Sequence, residues 1–266
     1  MSASFDDSNL VSSAGLVPAM KLAEKAGLRR LADRRLSVAT DKGANAGLKV
    51  VSLVAGMLAG AGSIDDMAVL RHGGMRKIFA HLYAPSTLGS FLRAFTFGHV
   101  RQLDAIASRF LISLAALSPP VPEPDGDYVF LDVDDTIIEV HGHQKQGASF
   151  GYSKVRGLNA ILATRKTVTG APIILAQRLR RGACSSPHGA TRLIRDALAA
   201  LRRLPGMAAA RILFRADSTF YTFAAIHAAL AGGADVSVTA RLDSAVRKRI
   251  AAIPATEWTP IKYTHA

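Results

Sequence analysis

The chain has 266 residues, of which 49% are hydrophobic and 20% are charged, a composition that supports a packed core and argues against global disorder. It contains 33 Lys and Arg residues against 20 Asp and Glu residues, a formal net charge of +13, which favours a polyanionic partner such as nucleic acid. Its single cysteine, Cys184, excludes an internal disulfide and a zinc site built from cysteines.

No membrane segment or signal peptide is expected. The most apolar run, residues 50–61, is only about 12 residues long, too short for a bilayer core of about 30 Å. The N-terminal sequence MSASFDDSNL is acidic and lacks a long apolar stretch, unlike a signal peptide. The sequence therefore predicts a soluble protein without a membrane partner.

Residues 1–117 have the pattern of a helical domain. Apolar residues recur there at three-to-four spacing, often after a Ser, Thr or Asp that can cap a helix. The predicted helical segments are residues 17–34, 44–60, 64–71, 75–82, 86–95 and 99–117. Arg29, Arg30, Arg34 and Arg35 lie close together on the first of them and can contact DNA phosphates, although a solvated basic face explains them equally well.

A Pro-rich stretch follows this half. The sequence SPPVPEPDG holds four prolines within six residues, so residues 118–126 cannot continue a helix and are predicted to form an extended linker. The boundaries predict a helical, DNA-binding domain over residues 1–117 and a second domain over residues 127–266.

Beyond the linker, strand patterns begin. They cover residues 128–133, 150–164, 171–180, 211–216 and 234–241, and helical patterns cover residues 191–204, 219–232 and 243–253. Three strands thus precede alternating helices and strands, which is the order of an RNase H-like sheet and not of a doubly wound fold. The predicted fold class is α+β or α/β, with a helical N-terminal domain and a partial RNase H-like mixed β-sheet domain.

Three acids lie at the predicted end of the first strand. Alternation along a strand places Asp132 and Asp134 on one face and Val133 on the other, with Asp135 following. Two carboxylates held so close repel each other unless a cation lies between them, and hard oxygen ligands suit Mg²⁺. An acidic loop that caps the next element is the alternative interpretation.

Asp217 repeats this arrangement. The apolar strand pattern over residues 211–216 ends in Asp217, and a helical pattern follows. If the two strands are neighbours, Asp134 and Asp217 meet at one edge of the sheet, as in two-metal phosphoryl-transfer sites. A helix N-cap is the alternative role for Asp217.

The segments LDVDDTIIEVHGHQKQGASFGYSKVRGLN and RADSTFY resemble the DDE transposases of bacterial insertion sequences, specifically the insertion-sequence 1380 group. The similarity extends over nearly the whole chain and includes the SPHGA segment. In that family the Asp-x-Thr of the first strand supplies one metal ligand, which matches Asp134 and Thr136. The Asp of an Arg-x-Asp-Ser segment supplies the second, which matches Asp217.

The resemblance implies an RNase H-like DDE catalytic domain, Mg²⁺ or Mn²⁺ as the cofactor, and DNA strand cleavage and transfer at transposon ends. The expected partners are DNA, as terminal inverted repeats and target DNA, and further copies of the chain, in the bacterial cytoplasm at the nucleoid. Asp134 and Asp217 are the expected catalytic residues and metal ligands. Asp132 is a further candidate metal ligand, and either it or Asp135 supports the site indirectly; Asp134 is preferred as first ligand because it has the Asp-x-Thr spacing.

Basic residues flank the predicted active sheet. Lys145, Lys154, Arg156 and Arg215 are candidates for contacts with the DNA backbone, although solvated charge explains them nearly as well. The family's third acid, a Glu in a Tyr-Arg-Glu type segment, has no evident counterpart. The acids after Asp217 are Asp235, Asp243 and Glu257, none in that context. We therefore expect a truncated copy of a transposase, in which the missing third acid would impair catalysis.

Two other functions stay open. Asp132, Asp134 and Thr136 also match the Asp-x-Asp-x-Thr motif of haloacid dehalogenase-like phosphatases, in which Asp132 would attack phosphorus and Asp134 would act as general acid–base. That family needs a later Lys and a further acidic pair, and no acidic pair appears downstream. The other alternative is a non-catalytic remnant that binds terminal-repeat DNA through its helical half.

Overall fold

The computed structural model describes residues 7–39, 41–79, 82–119, 128–142, 144–166 and 170–259. Helices come first and a mixed β-sheet with further helices follows. Most of the predicted linker, residues 120–126, lies outside the described residues. No helix within the described ranges is long and apolar enough to cross a membrane.

The helical half follows the predicted segments with shorter elements. Its helices are α1 (Leu16–Lys25), α2 (Leu28–Arg35), α3 (Ala46–Leu58), α4 (Met75–Ile78), α5 (Pro85–Arg93) and α6 (Phe97–Leu117). The single helix predicted over residues 17–34 is wrong, because it is divided into α1 and α2. Gly27, between them, has a φ of 82°, the left-handed conformation that favours glycine and interrupts a helix. The segment predicted over residues 64–71 is a 3₁₀ helix, Asp65–Arg71.

Large apolar side chains from these helices form one core. Leu70, Met75, Leu88 and Phe91 are all at most 1% exposed. Lys49 is also buried, and its ammonium group donates to the carbonyl oxygen of Lys42 at 2.7 Å. Its charge thus has a hydrogen-bond acceptor inside the core, as a buried amine requires.

The second half is built on a mixed sheet. Its strands are β1 (Val129–Glu139), β2 (Ser149–Phe150), β3 (Arg156–Lys166), β4 (Ile173–Arg181), β5 (Ile212–Ala216) and β6 (Asp235–Val238), and its helices are α7 (Ala190–Arg202), α8 (Phe223–Ala231) and α9 (Ser244–Ala251). Strand β1 lies between β3, which is antiparallel to it, and β5, which is parallel to it. Strands β2 and β4 pair antiparallel with β3, and β6 pairs parallel with β5.

Apart from the two-residue β2, the predicted order of elements is confirmed, but three boundaries are wrong. Strand β1 does not end at the acids: it pairs with β3 as far as Glu139, so the acids lie within the strand. The strand predicted over residues 150–164 is interrupted by a turn in which Lys154 has a φ of 57°. The helix predicted over residues 219–232 is a 3₁₀ turn, Ser218–Phe220, followed by α8.

Helices α6 and α7 cover one face of this sheet. Leu131 of β1, Ile161 of β3 and Phe214 of β5 are buried there in one core with Leu193 of α7. Helix α6 contributes to both cores, since its Ile106 packs with the helical half and its Ala115 with the sheet. The domain boundaries stay a prediction, because α6 belongs to both packed regions.

Candidate active site

Two neighbouring parallel strands bring the backbone positions of Asp134 and Asp217 side by side. The last pair in the register of β1 and β5 is Val133 with Ala216, and the two aspartates are the next residue along each chain. The predicted neighbour relationship of these two strands is therefore confirmed. Each carboxylate is exposed.

The alternation of β1 decides which way its acids face. Val129, Leu131 and Val133 are 1%, 0% and 2% exposed and pack in the core beneath α7. Because successive side chains of a strand point to opposite faces, Asp132 and Asp134 lie on the face away from α7. Burial of the three apolar side chains thus holds both carboxylates at the opposite surface.

Asp132 is already paired with a cation. Arg215 of β5 lies opposite it in the register, and its Nε and Nη2 atoms lie 2.7 Å from the two carboxylate oxygens. The guanidinium also stacks on Phe130, 4.1 Å from the ring centroid, and the hydrogen bond to Asp132 raises the pKa of Arg215. Each oxygen of Asp132 thus accepts one hydrogen bond from Arg215, and the ion pair neutralises the carboxylate. Contact of Arg215 with DNA stays a prediction.

Asp135 lies on the covered face, in a network of polar side chains. It accepts hydrogen bonds from Asn159 Nδ2, from Arg180 Nη2 at 3.2 Å and from Ser186 Oγ at 3.1 Å. Asn159 is 3% exposed, and burial lowers the pKa of Arg180. Asp135 therefore serves the fold beside the site, and its carboxylate does not share the face of Asp134.

Arg180 extends this network into the segment before α7. Its Nη1 atom donates to the carbonyl oxygens of Ser185, Ser186 and His188, which belong to the SSPHGA stretch. One guanidinium thus ties β4 to both β1 and this loop. Sequence reasoning missed Asn159 and Ser186, and it considered Arg180 only as part of a basic run that contacts DNA or is solvated. The SPHGA segment was a further signal for this region.

Asp217 caps the turn that follows β5. Its Oδ1 atom accepts from the Thr219 amide at 3.0 Å and from the Thr219 hydroxyl, and this turn buries Phe220 completely. The alternative role of an N-cap is therefore confirmed. The cap uses one carboxylate oxygen and orients the side chain without occupying its Oδ2 atom.

The chemistry of this donor set suits a hard divalent cation. Asp134 uses its Oδ1 atom to accept from the Asp135 amide at 2.8 Å, so it also keeps an oxygen for a ligand. Mg²⁺ is commonly held by one or two carboxylates, with waters and substrate oxygens completing its shell. Within the described residues there is no group of three or more His, Cys, Asp or Glu side chains that could hold a metal ion.

The three later acids have other surroundings. Asp235 accepts from the Tyr128 hydroxyl at 2.7 Å. Asp243 caps α9 by accepting from the Val246 amide at 2.9 Å. Glu257 is exposed in a short 3₁₀ turn.

The other basic residues near the site differ in their engagement. Lys145 and Lys154 are exposed on the loops around β2. Arg156 donates to the carbonyl oxygens of Val140 at 3.2 Å and Gly142 at 2.9 Å, and so holds the chain that leaves β1. Contact of these residues with DNA stays a prediction.

A family model described as transposase DDE domain group 1 matches residues 1–265 of the chain. None of the curated proteins matches the chain significantly.

Proposed function

The chain belongs to the transposase DDE domain group 1 family, and from this premise we propose that it is the transposase of a bacterial insertion sequence of the 1380 group. We further propose that its sheet is an RNase H-like catalytic sheet. The order of the strands supports that assignment. Strands β4, β3 and β1 are antiparallel neighbours, and β5 and β6 follow beside β1 as parallel strands. Its substrates would be terminal inverted repeats and target DNA, held by a homo-oligomer on paired ends.

One observation carries the proposed site: the β1–β5 register that ends in Val133 and Ala216. It brings Asp134 and Asp217 to adjacent positions, so the two carboxylates would hold Mg²⁺ or Mn²⁺ between them. When bound, such a cation would supply Lewis-acid activation of an attacking oxygen or stabilisation of a leaving oxygen of a phosphodiester. Asp132 is left out of this ligand set because its carboxylate is already neutralised by Arg215.

The surrounding residues have supporting tasks in this proposal. The Asp132–Arg215 pair links β1 to β5 beside the two carboxylates. It also neutralises one of two neighbouring acids, which reduces repulsion at Asp134. Lys145 and Lys154 offer exposed positive charge to the DNA backbone.

The phosphatase alternative is not favoured. Its nucleophile would be Asp132, whose two oxygens accept from Arg215 at 2.7 Å. An aspartyl nucleophile attacks phosphorus through a carboxylate oxygen. The bidentate pair with Arg215 neutralises this carboxylate and makes it a weaker nucleophile.

Binding of Mn²⁺ to the full chain tests the proposed site, and it does so independently of catalytic activity. We expect Asp134→Ala and Asp217→Ala each to weaken Mn²⁺ binding by about tenfold or more, as loss of a ligand does, when measured by the electron paramagnetic resonance signal of free Mn²⁺. Asp65→Ala is the control, because Asp65 is an exposed acid in the helical half. Unchanged binding in both site variants would overturn the proposal.

Nicking of DNA tests the activity itself. The substrate is a supercoiled plasmid that carries the sequences flanking this gene. Nicks that form with Mg²⁺ or Mn²⁺ in the wild type and the Asp65→Ala control, and in neither site variant, would assign the activity to Asp134 and Asp217. A wild type that binds Mn²⁺ and does not nick would be the inactive copy that the missing third acid predicts. Nicking that survives in Asp134→Ala would remove Asp134 from the catalytic residues.

A further inference from the structure

A cleft between α6, β4 and α7 gathers an excess of arginines. Its volume is about 420 Å³, and its charged lining consists of Arg101, Arg109, Arg178, Arg192 and Arg203 with Asp104 and Asp196. Five guanidinium groups therefore face two carboxylates, a surplus of three positive charges. These side chains come from three elements that are remote in sequence.

The two carboxylates are shared among three of the arginines. Arg178 is the most buried, with 15% of its side chain exposed, and it pairs with Asp104 at 3.4 Å and with Asp196. Asp104 also pairs with Arg101 at 2.6 Å, and Asp196 pairs with Arg192 at 3.8 Å. Burial lowers the pKa of Arg178, and repulsion from Arg101 lowers it further. Asp196 and Asp104 act against both effects, and the net positive charge of the cluster follows from its five arginines and two aspartates.

Arg109 and Arg203 add charge without adding a counter-ion. Arg109 donates to the carbonyl oxygen of Ala105 at 2.9 Å. Within the described residues neither arginine has a carboxylate at ion-pair distance. Concentrating like charges around a concave surface is unfavourable in the empty protein and favourable once an anion enters.

The spacing of the exposed arginines favours a polymeric anion. Arg192 and Arg203 line the same side of α7, 11 residues apart in the sequence, which is roughly 16 Å along a helix. A DNA strand carries a phosphate about every 3.4 Å of helix axis, so it can offer separate phosphates to guanidinium groups spread along such a length. Guanidinium groups also match phosphate oxygens in a two-pronged geometry.

We propose that this cleft, the α6–α7 arginine cleft, binds the phosphodiester backbone of DNA. The inference rests on the proposed function, and it adds a DNA contact away from the carboxylates. Arg178 contacts α6 and α7 on the covered face, whereas Asp134 lies on the opposite face of the sheet. DNA in the cleft is therefore a different stretch of backbone from the one at the metal site.

The salt dependence of DNA binding tests this site. The probe is a fluorescent duplex of about 30 base pairs, titrated with the full chain between about 50 and 250 mM NaCl, because each phosphate contact contributes about 0.9 to the slope of log K against log salt. We expect the double variant Arg192→Ala/Arg203→Ala to reduce the magnitude of that slope by about 2. Both side chains are exposed, so the variant should fold.

A matched control separates the cleft from net charge. Arg195→Ala/Arg247→Ala removes the same charge from exposed positions that do not line the cleft, and we expect less than half the change in slope. Equal slopes in the two double variants would overturn the proposal. The proposal would also be overturned if the wild type bound inorganic phosphate tightly while the slope for the duplex was the same in Arg192→Ala/Arg203→Ala as in the wild type.

The experiments distinguish an error in the proposed DNA contact of the cleft from an error in the proposed function. If the cleft alone is wrong, the wild type still binds the duplex and Mn²⁺, and only the expected difference between the double variants is missing. If the wild type binds neither the duplex nor Mn²⁺, the proposed function and the cleft both fall. If the cleft binds DNA as proposed, Arg192→Ala/Arg203→Ala should bind Mn²⁺ as the wild type does.

Discussion

Arg215 holds both carboxylate oxygens of Asp132 at 2.7 Å across two parallel strands. Asp134, two residues further along the same face, has no such cation among the described residues, and its Oδ1 atom accepts a hydrogen bond from the Asp135 amide. Two acids that look equivalent in the sequence therefore have different roles. One is neutralised by an ion pair, and the other is open to a metal ion.

The first prediction separates these two acids by metal binding. Asp132→Asn should weaken Mn²⁺ binding by less than about threefold and Asp134→Asn by about tenfold or more, because only the latter removes a proposed ligand. The measurement is a Mn²⁺ titration of both variants and the wild type. An equal loss in both variants would return Asp132 to the ligand set.

The second prediction concerns the buried partner of Arg180. Asp135→Ala removes the carboxylate that pairs with Arg180 and that accepts from Asn159 Nδ2 and Ser186 Oγ, in a region where the Arg180 and Asn159 side chains are largely buried. We expect the free energy of unfolding to fall by about 3 kcal/mol, as for other broken buried ion pairs, measured by urea denaturation. Asp134→Ala, at the adjacent exposed position, is the control and should change it by less than about 0.5 kcal/mol. Equal effects would mean that the network does not stabilise the fold.

The third prediction concerns the close approach of backbone at Gly182. A Cβ atom there would lie 2.2 Å from the carbonyl oxygen of Gly157 and 2.3 Å from that of Ser149. Because backbone must move to relieve such contacts, Gly182→Ala should lower the free energy of unfolding by about 2 kcal/mol. Gly15→Ala is the control: its φ is −60° and nothing lies within 4 Å of its Cβ position. The control should be neutral or up to about 0.5 kcal/mol stabilising, and a similar loss in both variants would contradict the steric explanation.

The fourth prediction is a pH dependence at Asp104. Burial raises the pKa of this carboxyl above its ordinary value of 3.8, in spite of Arg178 and Arg101. Between 3.8 and the raised value the folded state binds more protons than the unfolded state, so this group makes the free energy of unfolding fall as pH rises. Asp104→Asn removes that contribution.

Urea denaturation of both proteins across acid to neutral pH checks this sign. The wild type should lose stability relative to Asp104→Asn as pH rises from 3.8 through the raised pKa, and the difference should then level off. If the wild type instead gained stability relative to Asp104→Asn as pH rises, the ion pairs with Arg178 and Arg101 would outweigh the cost of burying the Asp104 carboxylate.

Much of the fold was predictable because its signals are local. The period-two alternation of Val129, Leu131 and Val133 indicated which acids share a face, and the order of strands and helices followed from similar patterns. The ends of the elements were not predictable in this way. Strand β1 continues to Glu139 because β3 pairs with it to that point, and such pairing is not visible in the residues of β1.

The sequence by itself determined the order of the elements, the shared face of Asp132 and Asp134, and the capping position of Asp217. Each of these follows from contacts between residues close together in the chain. Tertiary structure alone decided that Arg215, 83 residues after Asp132, would neutralise it, and that Arg180 would bind Asp135. It also gathered the arginines of α6, β4 and α7 into one cleft. A cation's partner depends on which strands and helices become neighbours, and packing of the whole sheet sets that choice.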